Sequence, residues 1–430
     1  MSKSDELTRR KFITNAAHSY LGVSLAPFLA GALTNTAFGQ NDEIPGGKAK
    51  SVIYLNMSGG MSHIDTFDPK PDKKEVQGPI DVINSKADGI QLTSFLPNIA
   101  KIADKLCIIN SMSTTQGAHA EGQYAMLRSY DPRGTVKHPV VGSWAVKMAG
   151  RENANLPGFV SIGGGNGSTS PGFFSAKHAG IPLGSPEKGL QDITRAKGVS
   201  EDEFQKRLAL ADVLNQNFHN QFSNPTIDQY DDLYEEALRV MQSKDLKAFD
   251  IRSEPDKLKQ QYGKNNFGQG CLLARRLVEH NVRFVQVSLG GWDTHYDNFA
   301  GTADKSAILD QAYSTLINDL ASRGLLETTL VVLTTEFGRT PTIKETRKMG
   351  RDHYPAAYSS VLAGGGVQGG TKYGETNETG TKIVKDKMTP GDMNATIGYA
   401  LGINTDTVIT SPEGRPFKMG NKGKAVTKIF

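Results

Sequence analysis

Short apolar runs that stop at glycine or a polar cluster recur along this chain, and each is followed by a stretch of helical periodicity. That alternation constrains the fold more than any other feature. Residues 51–56 read Ser-Val-Ile-Tyr-Leu-Asn and lead into Gly59-Gly60. Runs at 106–110, 158–162, 282–289, 329–335 and 358–362 repeat the pattern. Helices are expected at 96–103, 118–128, 140–148, 268–280, 303–323 and 392–401. Two polar, amphipathic helices are expected at 201–215 and 227–247. Strands that are continuously apolar are covered on both faces. The expected fold is therefore α/β, a three-layer sandwich with a mainly parallel central sheet and a helical insertion around 200–250. Such sheets bind ligands outside the carboxyl ends of their strands. The residues just after each strand are thus the candidates for chemistry.

The glycine content fits this picture. There are 46 glycines in 430 residues, about 11% where roughly 7% is usual. Many stand in pairs or triplets, at 59–60, 163–165, 290–291, 364–366 and 369–370. A formal charge of +4 excludes the strongly basic footprint of a nucleic-acid binder. Two cysteines, Cys107 and Cys271, cannot form a disulfide scaffold, and Cys107 in its apolar strand reads as buried.

Residues 1–39 read as a removable targeting segment. Arg9-Arg10 with Phe12 two places on, a weakly apolar stretch and Ala37-Phe38-Gly39 resemble a twin-arginine signal. The expectation is export to the periplasm or cell surface by the twin-arginine translocase, with no stable membrane span. The leader carries four positive and two negative charges, so the mature chain is near neutral at +2.

Four of the eight mature histidines lie at strand ends: His63, His119, His295 and His353. Acidic and basic companions lie beside them: Asp65, Asp293, Glu336, Arg339, Arg351 and Asp352. Carboxylates neutralise a divalent cation, and neutral imidazoles suit the borderline ions. A bound divalent metal, of the Zn, Mn or Ca kind, is the expected cofactor.

Five segments carry a resemblance. They are Met57-Ser-Gly-Gly-Met-Ser-His-Ile-Asp-Thr-Phe-Asp-Pro-Lys-Pro71, Gly290-Gly-Trp-Asp-Thr-His295, Thr335-Glu-Phe-Gly-Arg-Thr340, Gly350-Arg-Asp-His-Tyr-Pro355 and Gly364-Gly-Gly-Val-Gln-Gly-Gly370. Together they resemble the exported DUF1501 family and, more widely, the alkaline phosphatase/sulfatase-like superfamily. The resemblance implies one alkaline-phosphatase-like domain over 45–428. It implies metal ligands at Asp293, His295 and His353, with Glu336 as the carboxylate of another site. Asp65, Asp352 or His63 are further ligand candidates. It also implies hydrolysis of a phosphate or sulfate ester, with a small molecule or carbohydrate as substrate. Arg339 and Arg351 are then expected to contact the oxyanion.

The chain departs from the superfamily pattern at three places. Its first strand ends in Asn56 rather than Asp, and Phe337 replaces a histidine. His119 stands at the nucleophile position, where sulfatases carry Cys or Ser. His119 is then a nucleophile, or a metal ligand with Thr114, Thr115 or a water attacking. The departures also support a second reading, a non-catalytic binding or assembly protein on a degenerate fold. Three other features carry less. Gly364-Gly-Gly-Val-Gln-Gly369 matches a dinucleotide fingerprint in letters only, because a turn or hairpin and not a helix is expected after it. The run at 163–168 reads as a rim loop. Trp292 reads as a packing residue, with stacking on a sugar ring as the alternative.

Overall fold

The computed structural model describes residues 47–430 apart from 166, 192–197 and 222–224. The expected leader at 1–39 lies outside the described residues. Eight strands form the central sheet: β1 (Ser51–Ser58), β2 (Leu106–Met112), β3 (Phe159–Ile162), β4 (Ile181–Leu183), β5 (Phe284–Gly290), β6 (Thr329–Thr334), β7 (Tyr358–Ala363) and β8 (Thr371–Tyr373). Their order across the sheet is β8-β2-β7-β6-β1-β5-β3-β4. β7 runs antiparallel to both neighbours, β2 and β6, and every other pairing is parallel.

The alternation along β1 shows how the layers form. Ile53, Leu55 and Met57 point to one core, and Val52 and Tyr54 to the other. Helices α5 (Asn266–Glu279) and α6 (Asn298–Ser322) cover the first face. Helices α1 (His119–Arg128), α2 (Val141–Ala149) and α7 (Pro390–Ala400) cover the second. The three-layer α/β expectation is met. Full burial of a side chain such as Leu55 contributes roughly 1.5–3 kcal/mol.

Local signals fix the helix starts. Thr389 and Asp392 form a reciprocal capping box on α7, with proline in the first turn. Asn265 caps α5 by accepting from the Gly268 N–H.

The expected helical insertion is a pair, α3 (Glu201–Gln221) and α4 (Pro225–Gln242). Phe204 and Leu208 of α3 form a small core of their own with Tyr234, Leu238 and Met241 of α4. The Arg151 guanidinium holds Glu236 of α4 against the main body at 2.8 Å.

Two elements differ from expectation. Thr371–Tyr373, expected within a turn or hairpin, is the edge strand β8, and Ile181–Leu183 adds β4 at the opposite edge. Both are three-residue strands, too short for periodicity to identify. Trp292 is buried in the core, which settles its packing role. Both cysteines are buried and free. Among the described residues, no helix is long and apolar enough to cross a membrane.

Candidate metal centre

The carboxyl ends of β1, β2, β5 and β6 meet in one cleft. β5 and β1 run side by side in parallel, so the loop after Gly290 lies against the loop after Ser58. Gly59 makes the contact close. Its φ is +120°, and a Cβ there would lie 2.6 Å from the Asp293 backbone nitrogen. The segment carrying His353 pairs antiparallel with Gly338-Arg339 just beyond β6. It is also pressed onto the His295 loop, because a Cβ on Gly350 would lie 1.9 Å from the His295 carbonyl oxygen.

His119, Asp293 and His353 each bring one ligand atom to within 4.8 Å of the others. His295 joins them. Its Nε2 is 3.0 Å from His353 Nε2 and 3.2 Å from Asp293 Oδ1. Asp293 lies at the centre, 3.3 Å from His119 Nε2 and 3.3 Å from His353 Nε2. Its side chain is 47% exposed and the three imidazoles between 23% and 33%, so the cluster is open to solvent on one side.

The opposite edge of each imidazole is anchored. His119 Nδ1 lies 2.9 Å from Glu336 Oε1, His295 Nδ1 lies 2.9 Å from Asp352 Oδ1, and His353 Nδ1 lies 2.7 Å from the Gly117 carbonyl oxygen. In the tautomer with the proton on Nδ1, each Nε2 is left as a lone pair. Three lone pairs and one carboxylate then face each other. His119 Nε2 is buried and has no hydrogen-bond partner. Lone pairs packed this closely repel one another unless a cation or proton lies between them. The donor set therefore fits a borderline divalent ion held by imidazole and carboxylate, with outer carboxylates that orient the ligands.

Charge tuning agrees. Burial alone would raise the Asp293 carboxyl, but the hydrogen bond and charge of Arg339 outweigh it and hold the pKa at about 2. Asp352 is also held at about 2, first by the hydrogen bond from Lys344, with His295 and Arg347 adding to it. His119 is raised above the usual histidine value, chiefly by its bond to Glu336. His353 is lowered, chiefly by burial.

The other sequence candidates lie around this cluster in supporting positions. Glu336 is fully buried and accepts the Gly59 N–H at 2.8 Å as well as the His119 bond. Asp352 backs His295 and pairs with Lys344 and Arg347. Arg339 is buried, and it donates to the Gly59, Gly60 and Arg351 carbonyls and to Asp293.

Asp65, Arg351 and His63 differ from expectation. Asp65 and Arg351 face each other rather than the cluster, both side chains fully buried, with Nε 2.9 Å from Oδ2. Asn298 donates to the same carboxylate at 2.8 Å. The remaining Arg351 N–H groups serve the Val76, Thr340 and Pro341 carbonyls. A buried carboxylate needs this full compensation, so neither group is free for metal or oxyanion. His63 is buried against the Gly380 carbonyl.

Sequence reasoning missed the Gly117 carbonyl, which has no side-chain signal, and Asn298, which stands three residues after His295 at the start of α6.

A family model described as "Protein of unknown function (DUF1501)" matches residues 49–430. The chain belongs to the DUF1501 family. No curated protein matches the sequence of this DUF1501 chain. Solved structures of similar fold include the lipoteichoic acid synthase LtaP from Listeria monocytogenes, with TM-score 0.41 and 9% identity over 96% of this chain and 93% of that one. A protein in the alkaline phosphatase superfamily from Vibrio parahaemolyticus has TM-score 0.39 and 11% identity, over 98% and 79% of the two chains. The PsFucS1 sulfatase from Pseudoalteromonas sp. has TM-score 0.38 and 14% identity, over 83% and 68%.

Proposed function

We propose that this DUF1501 protein is an exported, metal-dependent hydrolase of phosphate or sulfate esters, carbohydrate esters among them. The observation that carries the reading is the convergence of three proton-anchored imidazoles and Asp293 in a solvent-open cleft. His119, Asp293, His295 and His353 would hold one divalent ion. A cation bound there supplies Lewis acidity to an ester oxygen and lowers the pKa of water.

The chain's own residues set up the rest. Glu336 supports the His119 proton on Nδ1, so that Nε2 would face Asp293 as a ligand. Asp352 does the same for His295. Arg339 keeps Asp293 ionised and fixes its rotamer. The open face lets an ester and a water enter. Residues 1–39 support export, because twin-arginine transport carries chains already folded around a metal.

The second reading, a binding or assembly protein, is favoured by one observation. The donors of Arg339 and Arg351 are directed to internal partners, so no guanidinium is free to clamp an oxyanion. Turnover of aryl phosphate and aryl sulfate esters by protein purified after export separates the two. Metal-dependent turnover that is lost in His295→Ala supports the hydrolase. A metal-loaded protein that is inert on both esters supports the binding protein.

A further inference from the structure

A cleft of about 430 Å³ opens beside the histidine cluster, along helix α1. This volume lies in the roughly 300–1,000 Å³ range of small-molecule sites. Its walls come from the loop after β2, the C-terminal end of α1, the start of α7 and the turn at 420–423. Two elements are shared with the cluster. Thr114 and Thr115 line the cleft, and Gly117 in the same loop holds His353. His119 starts α1, while Ala125 and Ser129 at its far end line the cleft. The Cα atoms of His119 and Ala125 are about 9 Å apart along the helix axis.

The chemistry of the walls is specific. Ser113, Thr114, Thr115 and Ser129 supply hydroxyls. Lys387 and Lys422 are exposed at the rim, and neither has an ion-pair partner among the described residues. Two carboxylates, Asp131 and Asp392, also line the cleft, and internal donors direct their oxygens to partners in the wall. Asp392 closes the α7 capping box and accepts the Lys424 N–H at 2.7 Å. Asp131 accepts from the Gln116 side chain at 2.6 Å. The Thr114 and Ser129 hydroxyls each accept one internal hydrogen bond, from the Gln116 N–H and the Asn394 side chain, and keep a proton to donate. A polyhydroxylated ligand exchanges hydrogen bonds with them, and the two ammonium groups attract an anion.

We propose that this cleft is the subsite for the non-reacting part of the substrate, a carbohydrate unit carrying its own sulfate or phosphate group. The inference rests on the hydrolase reading, and it assigns Thr114 and Thr115 to substrate binding rather than attack.

The test is calorimetric titration of the purified, metal-containing protein with N-acetylglucosamine 6-sulfate, the 6-phosphate and the unmodified sugar. At least one anionic sugar is expected to bind tenfold or more tightly than the unmodified one. The sulfate and phosphate arms show which oxyanion is preferred. The Lys387→Glu/Lys422→Glu double variant is expected to lose tenfold or more of that affinity with an unchanged melting temperature. Equal binding of all three sugars, no binding at millimolar concentration, or undiminished binding in a folded double variant overturns the subsite. Ester turnover without such binding overturns only the subsite. Lysine-dependent binding without turnover of aryl or sugar esters overturns only the hydrolase reading.

Discussion

Two groupings of acid and base arise from the same strand-end loops, and they have opposite characters. Asp65 and Arg351 are sealed, both fully buried, with four hydrogen bonds from the guanidinium NH groups and Nε in ion-pair contact with Asp65. Asp293 and its three histidines are partly open, and His119 Nε2 has no hydrogen-bond partner. Arg351 and His353 are only two residues apart in the chain. The sealed pair uses its polarity to lock two loops together. The open cluster keeps its polarity available. Burial, rather than residue type, separates scaffold from site.

The sharpest way to break this comparison is to remove one half of the sealed pair. Arg351→Met leaves the Asp65 carboxylate buried without its partner and should cost about 3–5 kcal/mol. Urea unfolding would measure the loss. The double variant Asp65→Asn/Arg351→Met should recover part of it, because the charge left uncompensated is gone.

The open cluster should respond the other way. Asp352→Asn removes the carboxylate that orients His295 and should weaken metal binding about 10–100-fold. Its melting temperature without metal should change little, since the Asp352 side chain is part-exposed and its pairing with Lys344 and Arg347 is worth about 0–1 kcal/mol. Metal titration followed by thermal unfolding checks both halves.

A smaller effect contrasts buried structural histidines with the cluster. His138 and His178 are held neutral at about 4, first by burial, with the charges of Arg133 and Arg128 beside the one and Lys147 beside the other. The unfolded chain takes up the same protons near 6.5. Between these values the unfolded state binds more protons. Stability is therefore complete above pH 6.5 and falls as the pH drops towards 4, by up to roughly 2 kcal/mol per histidine at pH 5. Denaturation at pH 7 and pH 5 should show this loss, and His178→Gln should reduce it.

The layered fold was legible because β1, β2, β5 and β6 are continuous apolar runs with clear glycine or polar ends. The edge strands β4 and β8 were not, each being three residues long, β4 interrupted by Pro182 and β8 carrying Thr371 and Lys372. The cluster was legible in its members, because Asp293, His295 and His119 each follow a strand and His353 stands just before one. Their division of labour was not. Glu336 and Asp352 carry the same chemistry as Asp293, and only three-dimensional placement makes them supports. Asp65 looked like a ligand because the first strand ends in Asn56 and the loop after it offers Asp65 as a substitute carboxylate. Its partner Arg351 lies 286 residues away, beyond the reach of any local pattern.

The central claim is that His119, Asp293, His295 and His353 form one metal centre. Elemental mass spectrometry of the exported protein and of folded His353→Ala tests it most directly. The expected result is about one divalent metal per wild-type chain and a severalfold or greater loss in the variant. A folded wild-type chain that carries no metal after growth with zinc and manganese, or a variant that retains full content, would contradict it.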